Sequence, residues 1–431
     1  MEIDNRTLFN VTQFLSGEHA SHLKVTVAVK GTFKLNDREP CVPDANQLPF
    51  SPDVTFMDDL GRGPVWVSDL APLKPHSDFF IIGAFHAPGG VPVTESLGGF
   101  SFGPFRKDLL FFGPRFAVPQ PSGARQVSAP EPVTTVPLRW ELSFGGLEDA
   151  RNPIGRGLDL EPGPNGEKCI AMPQIEWPDH RVRHPKDRPP PANFSPLPPG
   201  FLERRHKLGT RDRRWAVSRA PLPPKDYDPS FHNAAPQDQQ AGNYPRGDET
   251  LVLRNLHPRI PELATELPGL RIRAGMLRGA GESAEAAEVT MNLDTVIALP
   301  EEDHLVLLWR GVVPLRDGLG LADILRLQIE AEKLSEPAKP FAEIAAEMLA
   351  AHKATLPPPP SPPPPPPDMK AAAAGALSEA RNLLAKVDLP PGVRKTVETE
   401  ADPVIVHDAL AAHVDQVLGE LAKKYGVKLP P

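Results

Sequence analysis

The chain has 431 residues, with 47 Lys and Arg against 55 Asp and Glu, for a net charge of −8. That balance excludes an acidic disordered tail and a dedicated nucleic-acid binder. Proline is the outlier at 56 residues, about 13% against a usual ~5%, which disfavours long helices and long central parallel strands and favours short strands joined by rigid turns.

The N-terminal segment MEIDNRTLFNVTQF lacks a basic region followed by an apolar core, so no signal peptide is expected. No stretch approaches ~18 uninterrupted apolar residues, so no membrane span is expected and the reading is cytoplasmic. Residues 1–150 read as β structure. Leu23, Val25, Val27, Val29 and Phe33 alternate with Lys24, Thr26, Lys30 and Thr32, the period-two signature of a half-buried strand. Val136, Leu138, Trp140, Leu142 and Phe144 alternate in the same way, which predicts a strand with Trp140 and Phe144 on one face. Phe79–Phe85 and Leu109–Phe112 are apolar runs bounded by proline or glycine.

Residues 151–248 are proline-rich and weakly periodic. Between Arg181 and Arg219 there are eleven Lys and Arg against three Asp and Glu. Such a length without regular structure is unusual inside a domain. A disordered linker, however, would seldom carry Trp177, Phe194, Phe201, Trp215, Tyr227 and Phe231. The segment reads as a long ordered connection laid over the β core and anchored by these aromatics. Residues 249–316 return to strands at Leu270–Met276, Val289–Leu299 and Leu305–Val313, so the β architecture is expected to close through segments distant in sequence.

From Leu319 the period changes. Leu321, Ile324, Leu325 and Ile329 fall at helical spacing, as do Phe341, Ile344, Ala345, Met348 and Leu349. This predicts a helical segment over 317–354. A polyproline linker follows at 355–368, in which Pro357–Pro367 holds ten prolines. As an extended helix of ~3.1 Å per residue it would reach roughly 34 Å. Residues 369–431 read as a small helical module, with one stripe of Leu377, Ala380, Leu383, Leu384 and Val387. A second stripe comprises Leu410, Val414, Val417, Leu418, Leu421 and Tyr425. The expected fold class is mainly β: an antiparallel, sandwich-like body over 1–316 with a C-terminal α-helical appendage, α+β overall.

Few residues suggest chemistry. His180 and His184 have helical spacing, but Pro178 and Pro185 flank them and Arg181 and Arg183 oppose a cation. His19 and His22 have no acidic or thiol neighbour and read as a surface turn. Gly61, Gly63 and Gly98–Gly99 lack a nucleotide-loop context and read as turns. Cys41 and Cys169 are too few for a disulfide framework or a four-thiolate site. Asp69, Lys74, His76 and Asp78 gather in one short stretch, where acid, base and cation would suit an enzyme. Asp and Ser before proline also cap turns, the reading favoured here. No catalytic, cofactor or metal residues are assigned. The basic 181–219 segment reads as a protein-facing or intramolecular charge surface rather than a nucleic-acid site.

Lys30-Gly31-Thr32-Phe33, Ser68–Asp78, Pro137–Gly146 and Asn152–Gly157 are followed along the chain by Ala235–Gln239, Gly247-Asp248-Glu249 with Leu253–Leu256, Leu293-Asp294-Thr295 and Leu308–Gly311. Their order and spacing over about residues 5–316 resemble the family 2169 of domains of unknown function, encoded beside type VI secretion genes in Gram-negative bacteria. The resemblance implies a non-enzymatic adaptor or chaperone. Its partners would be a secreted effector and the PAAR-type tip of the secretion spike. It implies no catalytic residues and no cofactor, and it does not reach the proline run or the C-terminal helices. Asp69, Lys74, Arg204, Arg205, Arg213 and Arg214 are assigned to partner contact. A carbohydrate-active enzyme and a structural subunit of the apparatus remain alternatives, and the oligomeric state is open.

Overall fold

The computed structural model describes residues 2–17, 23–55, 64–163, 166–279, 283–315, 323–355, 378–379, 381–400 and 402–425. His19, His22, Gly61, Gly63, Leu321, Leu377, Ala380 and the proline run 357–367 lie outside the described residues. The chain divides into two compact units, Met1–Leu356 and Pro357–Pro431.

The first unit is mainly β. Its central sheet runs, in spatial order, Gln240–Ala241, Ser77–Ile81, Asn292–Leu299, His304–Pro314, Leu23–Lys34 and Asn10–Gly17, with Val42–Pro43 also paired to Leu23–Lys34. The pairing Leu305↔Phe33 joins the two ends of the body antiparallel, as the distant-closure reading expects. Only Ser77–Ile81 with Asn292–Leu299 is parallel in this sheet among the described residues. A second sheet runs Ile175–Glu176, Phe105–Phe112, Glu95–Phe102, Thr250–Arg254 and Glu262–Glu266. A third runs Glu2–Asn5, Ile324–Lys333, Leu270–Arg278 and Glu285–Val289. The short strands expected of a proline-rich chain occur, but Leu23–Lys34, His304–Pro314 and Ile324–Lys333 run 12, 11 and 10 residues, free of proline except at the end Pro314.

The three sheets share one apolar core. Phe33, Phe79 and Trp309 of the first meet Phe100, Phe102 and Phe111 of the second and Ile272, Met276 and Ile329 of the third. Phe79 lies 4.6 Å from Phe100 and 4.8 Å from Phe102, centroid to centroid. Ring pairs of this kind add about 0.5–1.5 kcal/mol beyond area burial.

Two local expectations are corrected. Ile324–Lys333 is a strand, not a helix. Its register against Leu270–Arg278 shifts between Leu277 and Arg278, passing from Arg326 directly to Ile324. The extra residue puts Ile324 and Leu327 into the same core at a spacing of three. A bulge therefore imitates helical periodicity. The body accordingly extends past 316, and helix Phe341–Thr355 seals it by seating Ile344 and Met348 on Leu277. The second correction concerns 136–144. Thr135–Pro137 is a strand, but Trp140–Leu142 is a 3-10 turn and Phe144–Gly145 a separate short strand. Trp140 and Phe144 are both buried, yet in different clusters. The Asn152 amide explains the break. Its Nδ2 donates to the Trp140 carbonyl at 2.8 Å and to the Phe144 carbonyl at 3.0 Å, satisfying backbone that a partner strand would otherwise need to pair.

The second unit contains helices Pro391–Thr399 and Pro403–Tyr425. Leu389, Val397 and Val406 form its small core, with Leu384 and Leu410 against it. Val414, Val417 and Leu418 remain exposed on the long helix.

Candidate functional site

The strand Leu23–Lys34 was expected to be half-buried, but it is covered on both sides. Val25, Val27, Val29 and Phe33 enter the shared core, while Thr26, Lys30 and Thr32 on the opposite face are also buried. The 151–248 connection provides part of that second cover, laying Ala234 and Ala235 on Phe80, Ile297 and Leu308. Polar groups caught under such a cover must pair internally.

They do so in one network. Lys30 Nζ donates to Asp69 Oδ2 and to the Pro49 carbonyl, both at 2.7 Å, and sits 4.4 Å from the Trp66 ring centroid. Asp69 Oδ1 accepts from Trp66 Nε1 at 3.1 Å, and Asp69 Oδ2 from the Ser51 amide at 2.8 Å. The Asp69 carbonyl accepts from Arg310 Nη2 at 2.8 Å. Arg310 Nη1 pairs with Asp294 Oδ2, whose other oxygen accepts from Thr295 Oγ1 at 2.9 Å. That hydroxyl accepts from Lys74 Nζ at 2.8 Å, and Lys74 Nζ also donates to Asp78 Oδ2 at 2.8 Å. Asn233 Nδ2 and the Ala234 amide close the Asp78 carboxylate at 2.9 Å each. Three cations thus balance three carboxylates beneath the surface. Burial pulls the Lys30 ammonium below its ordinary range, and Asp69 opposes the shift.

Two further anchors hold the connection down. Lys107 Nζ, buried under Trp177 and Phe194, donates to the Asn193 carbonyl at 2.8 Å, Gln239 Oε1 at 2.8 Å and Asp238 Oδ1 at 3.0 Å. Burial lowers its pKa to about 8, against the pull of Asp238. Arg115 pairs with Glu176 over the Phe112 ring. Burial pushes Glu176 up to about 7, although Arg115 opposes it. Gly145 is required nearby, because a Cβ there would lie 2.1 Å from the Asn152 carbonyl oxygen. Of the aromatics expected to anchor 151–248, Phe194 and Phe201 are fully enclosed, Trp177 packs partly buried on the core, and Trp215, Tyr227 and Phe231 stay partly exposed.

These placements revise the residues assigned to partner contact. Asp69 and Lys74 belong to the buried network, and Arg204 donates inward to the Leu197 carbonyl at 2.6 Å and the Phe231 carbonyl at 3.0 Å. Direct contact needs exposure, so these three support a surface rather than form one. Arg205, Arg213 and Arg214 are exposed. Of the group Asp69, Lys74, His76 and Asp78, read in the sequence as turn caps, the structure puts Asp69, Lys74 and Asp78 into a buried ion-pair network, while His76 joins it only through its backbone. Lys30, Asn233, Asp294 and Arg310 are partners the sequence missed. Lys30 sits on the polar phase of its strand, which the sequence reads as facing water, so no local signal marked it as buried.

Among the described residues, two concavities of the first unit are large enough to hold a ligand or a chain segment. One of about 650 Å³ is lined by Trp140, Trp177, Lys107, Glu203 and Asp238. The other, of about 600 Å³, crosses from Phe14–Gly17 at the sheet edge onto Lys24 and Val312 and is also lined by Leu73, Leu222 and Phe231. His232 lines it, and burial lowers its pKa to about 3, with Lys74, Arg204 and Arg310 adding to the effect. Among the described residues no group of three or more His, Cys, Asp and Glu is placed to hold a metal ion, and no helix is long and apolar enough to cross a membrane. His180 and His184 stand in irregular backbone, not on a helix face.

A family model described as an uncharacterized protein conserved in bacteria (DUF2169) matches residues 20–310. No curated protein and no solved structure matches the chain.

Proposed function

The chain belongs to the bacterial DUF2169 family, and from that premise we propose that it is a non-enzymatic adaptor or chaperone. Its cargo is a type VI secretion effector, which it helps to load through a PAAR-type tip onto the spike. The observation that carries the reading is the buried network. The blocks that mark the family contribute Lys30, Asp69, Lys74, Asp78, Asp294 and Arg310, and these charges pair with one another under the surface. Residues paired in this way fix the shape of a scaffold and are not poised to react with a ligand. Arg205, Arg213 and Arg214 remain on the outside for a partner.

The test is co-expression with the effector encoded beside it, followed by size-exclusion chromatography. Co-elution in a defined ratio, with the adaptor absent from the secreted fraction, supports the reading. Separate elution overturns it, and appearance in the secreted particle favours a structural subunit. A second reading, an enzyme acting on carbohydrate, draws on the cleft that joins Trp177 to Glu203 and Asp238. Burial raises the Glu203 carboxyl, as a general acid would require. Against it, Asp238 is tied to Lys107 at 2.9 Å and is not free to serve as the second carboxylate.

A further inference from the structure

The central sheet ends very differently on its two sides. One edge is the two-residue strand Gln240–Ala241. The other is Asn10–Gly17, paired through all eight residues with Leu23–Lys34 in an unbroken register from Asn10↔Lys30 to Gly17↔Leu23. Among the described residues no strand lies on its outer side. Proteins ordinarily blunt such an edge with a lysine, a proline or a bulge. The sequence Asn-Val-Thr-Gln-Phe-Leu-Ser-Gly has no charge and no proline, and its register carries no bulge.

The groove of about 600 Å³ takes in Phe14–Gly17 of this edge strand and passes onto Lys24 and Val312 of the next two strands, with Leu73, Leu222, Tyr227 and Phe231 also lining it. Leu15 and Leu73 are 39% and 38% exposed, so the apolar lining is accessible. Lys24 and Arg211 also line it, and Arg213 and Arg214 follow on the short helix Arg213–Ser218. Among the described residues none of these four cations has an ion-pair partner; Arg211 only stacks on Trp215 at 5.5 Å. Some surface arginines elsewhere in the body do have acidic partners, as Arg181 has Glu95 and Arg254 has Asp108.

We propose that strand Asn10–Gly17 and its groove receive an extended segment of the partner protein, one that alternates apolar and acidic residues and adds to the sheet as a further strand. This rests on the adaptor reading and names the chemistry of what is bound. Main-chain hydrogen bonds to the open edge give affinity, and the groove takes every second side chain. The acidic positions meet Lys24, Arg211, Arg213 and Arg214. A second copy of this chain is a poor occupant, because it would bring the same unpaired cations to the same edge.

The test uses the full chain and three fluorescein-labelled peptides of about ten residues each, enough to span such an edge. The first alternates valine and glutamate. The second has lysine in place of glutamate. The third is the glutamate peptide methylated on alternate backbone nitrogens. By fluorescence anisotropy the first binds at least about tenfold more tightly than the second, and the third does not bind. The variant R211E/R213E/R214E reverses the order of the first two. Its three side chains are exposed, so its melting temperature stays that of the parent. Equal binding of the glutamate and lysine peptides, retained binding of the methylated one, or no binding of the first at millimolar concentration overturns the proposal. So does a dimer of the chain that the first peptide dissociates, which would assign the edge to a second copy. Pull-down of the neighbouring-gene effector separates the two levels. If it binds parent and variant equally, the surface is wrong and the adaptor reading stands. If it binds neither, the adaptor reading fails while the peptides still decide the surface.

Discussion

Lys30 and Asp69 stand 39 positions apart and meet at 2.7 Å with 1% and 2% of their side chains exposed. Each lies in a different sequence block, and each leads on through Arg310 and Asp294 to Lys74 and Asp78. The interaction is demanding. Two buried charges are tolerated only while both are present, and removing one leaves the other without compensation.

Asp69→Leu is therefore expected to destabilise the body by about 3–5 kcal/mol, the usual cost of an orphaned buried charge. The double variant Lys30→Met with Asp69→Leu is expected to recover the part of that loss due to the unpaired ammonium, while the Ser51 amide and Trp66 Nε1 still lack their acceptor. Urea unfolding of both variants and the parent checks this, and a double variant less stable than either single one would refute it.

His232 gives the stability a pH dependence of defined sign. Its folded pKa is about 3, below the ordinary value near 6.5. The unfolded chain therefore binds a proton that the folded chain refuses. Stability from this group is complete above about pH 6.5 and is lost as the pH falls from there towards 3. His232→Gln is expected to flatten that part of the profile. An unchanged slope in denaturant unfolding at pH 4, 5, 6 and 7 would show that another group sets it.

Trp140 fills a cluster with Leu197 and Phe201 and donates its Nε1 to the Pro196 carbonyl at 2.8 Å. Trp140→Ala is expected to cost about 3–5 kcal/mol through the cavity it leaves. Trp140→Phe keeps most of the volume but strands that carbonyl, for a loss of about 1–3 kcal/mol. Thermal melts would order the three proteins parent, Phe, Ala. Equal melting of the alanine variant and the parent would contradict the packing.

Removing residues 357–431 is expected to leave the first unit folded, since Ile344, Met348 and Leu277 complete its last sheet before that point. Its strand-type circular dichroism and denaturation midpoint should match the corresponding transition of the full chain. Loss of cooperative unfolding in the truncated protein would show that the two units depend on one another.

The sequence by itself determined the β character of the body, its closure by distant strands, the anchoring of 151–248 at Phe194 and Phe201, and helix Phe341–Thr355. Each rests on local periodicity or composition, which the chain displays residue by residue. It placed Asp69, Lys74, His76 and Asp78 together because they are neighbours along the chain, but read them as turn caps rather than as members of a charge network. The structure alone decided that Ile324–Lys333 is a bulged strand, because a bulge shifts the period by one residue and its partner strand is needed to see it. It alone decided that Trp140 turns away from Phe144, through an amide supplied by Asn152. And it alone brought Lys74 to Thr295, 221 positions away. A charge on a β run shows that one face is polar. Whether that face meets water or another charge depends on which segment covers it, and that is settled only when the whole sheet closes.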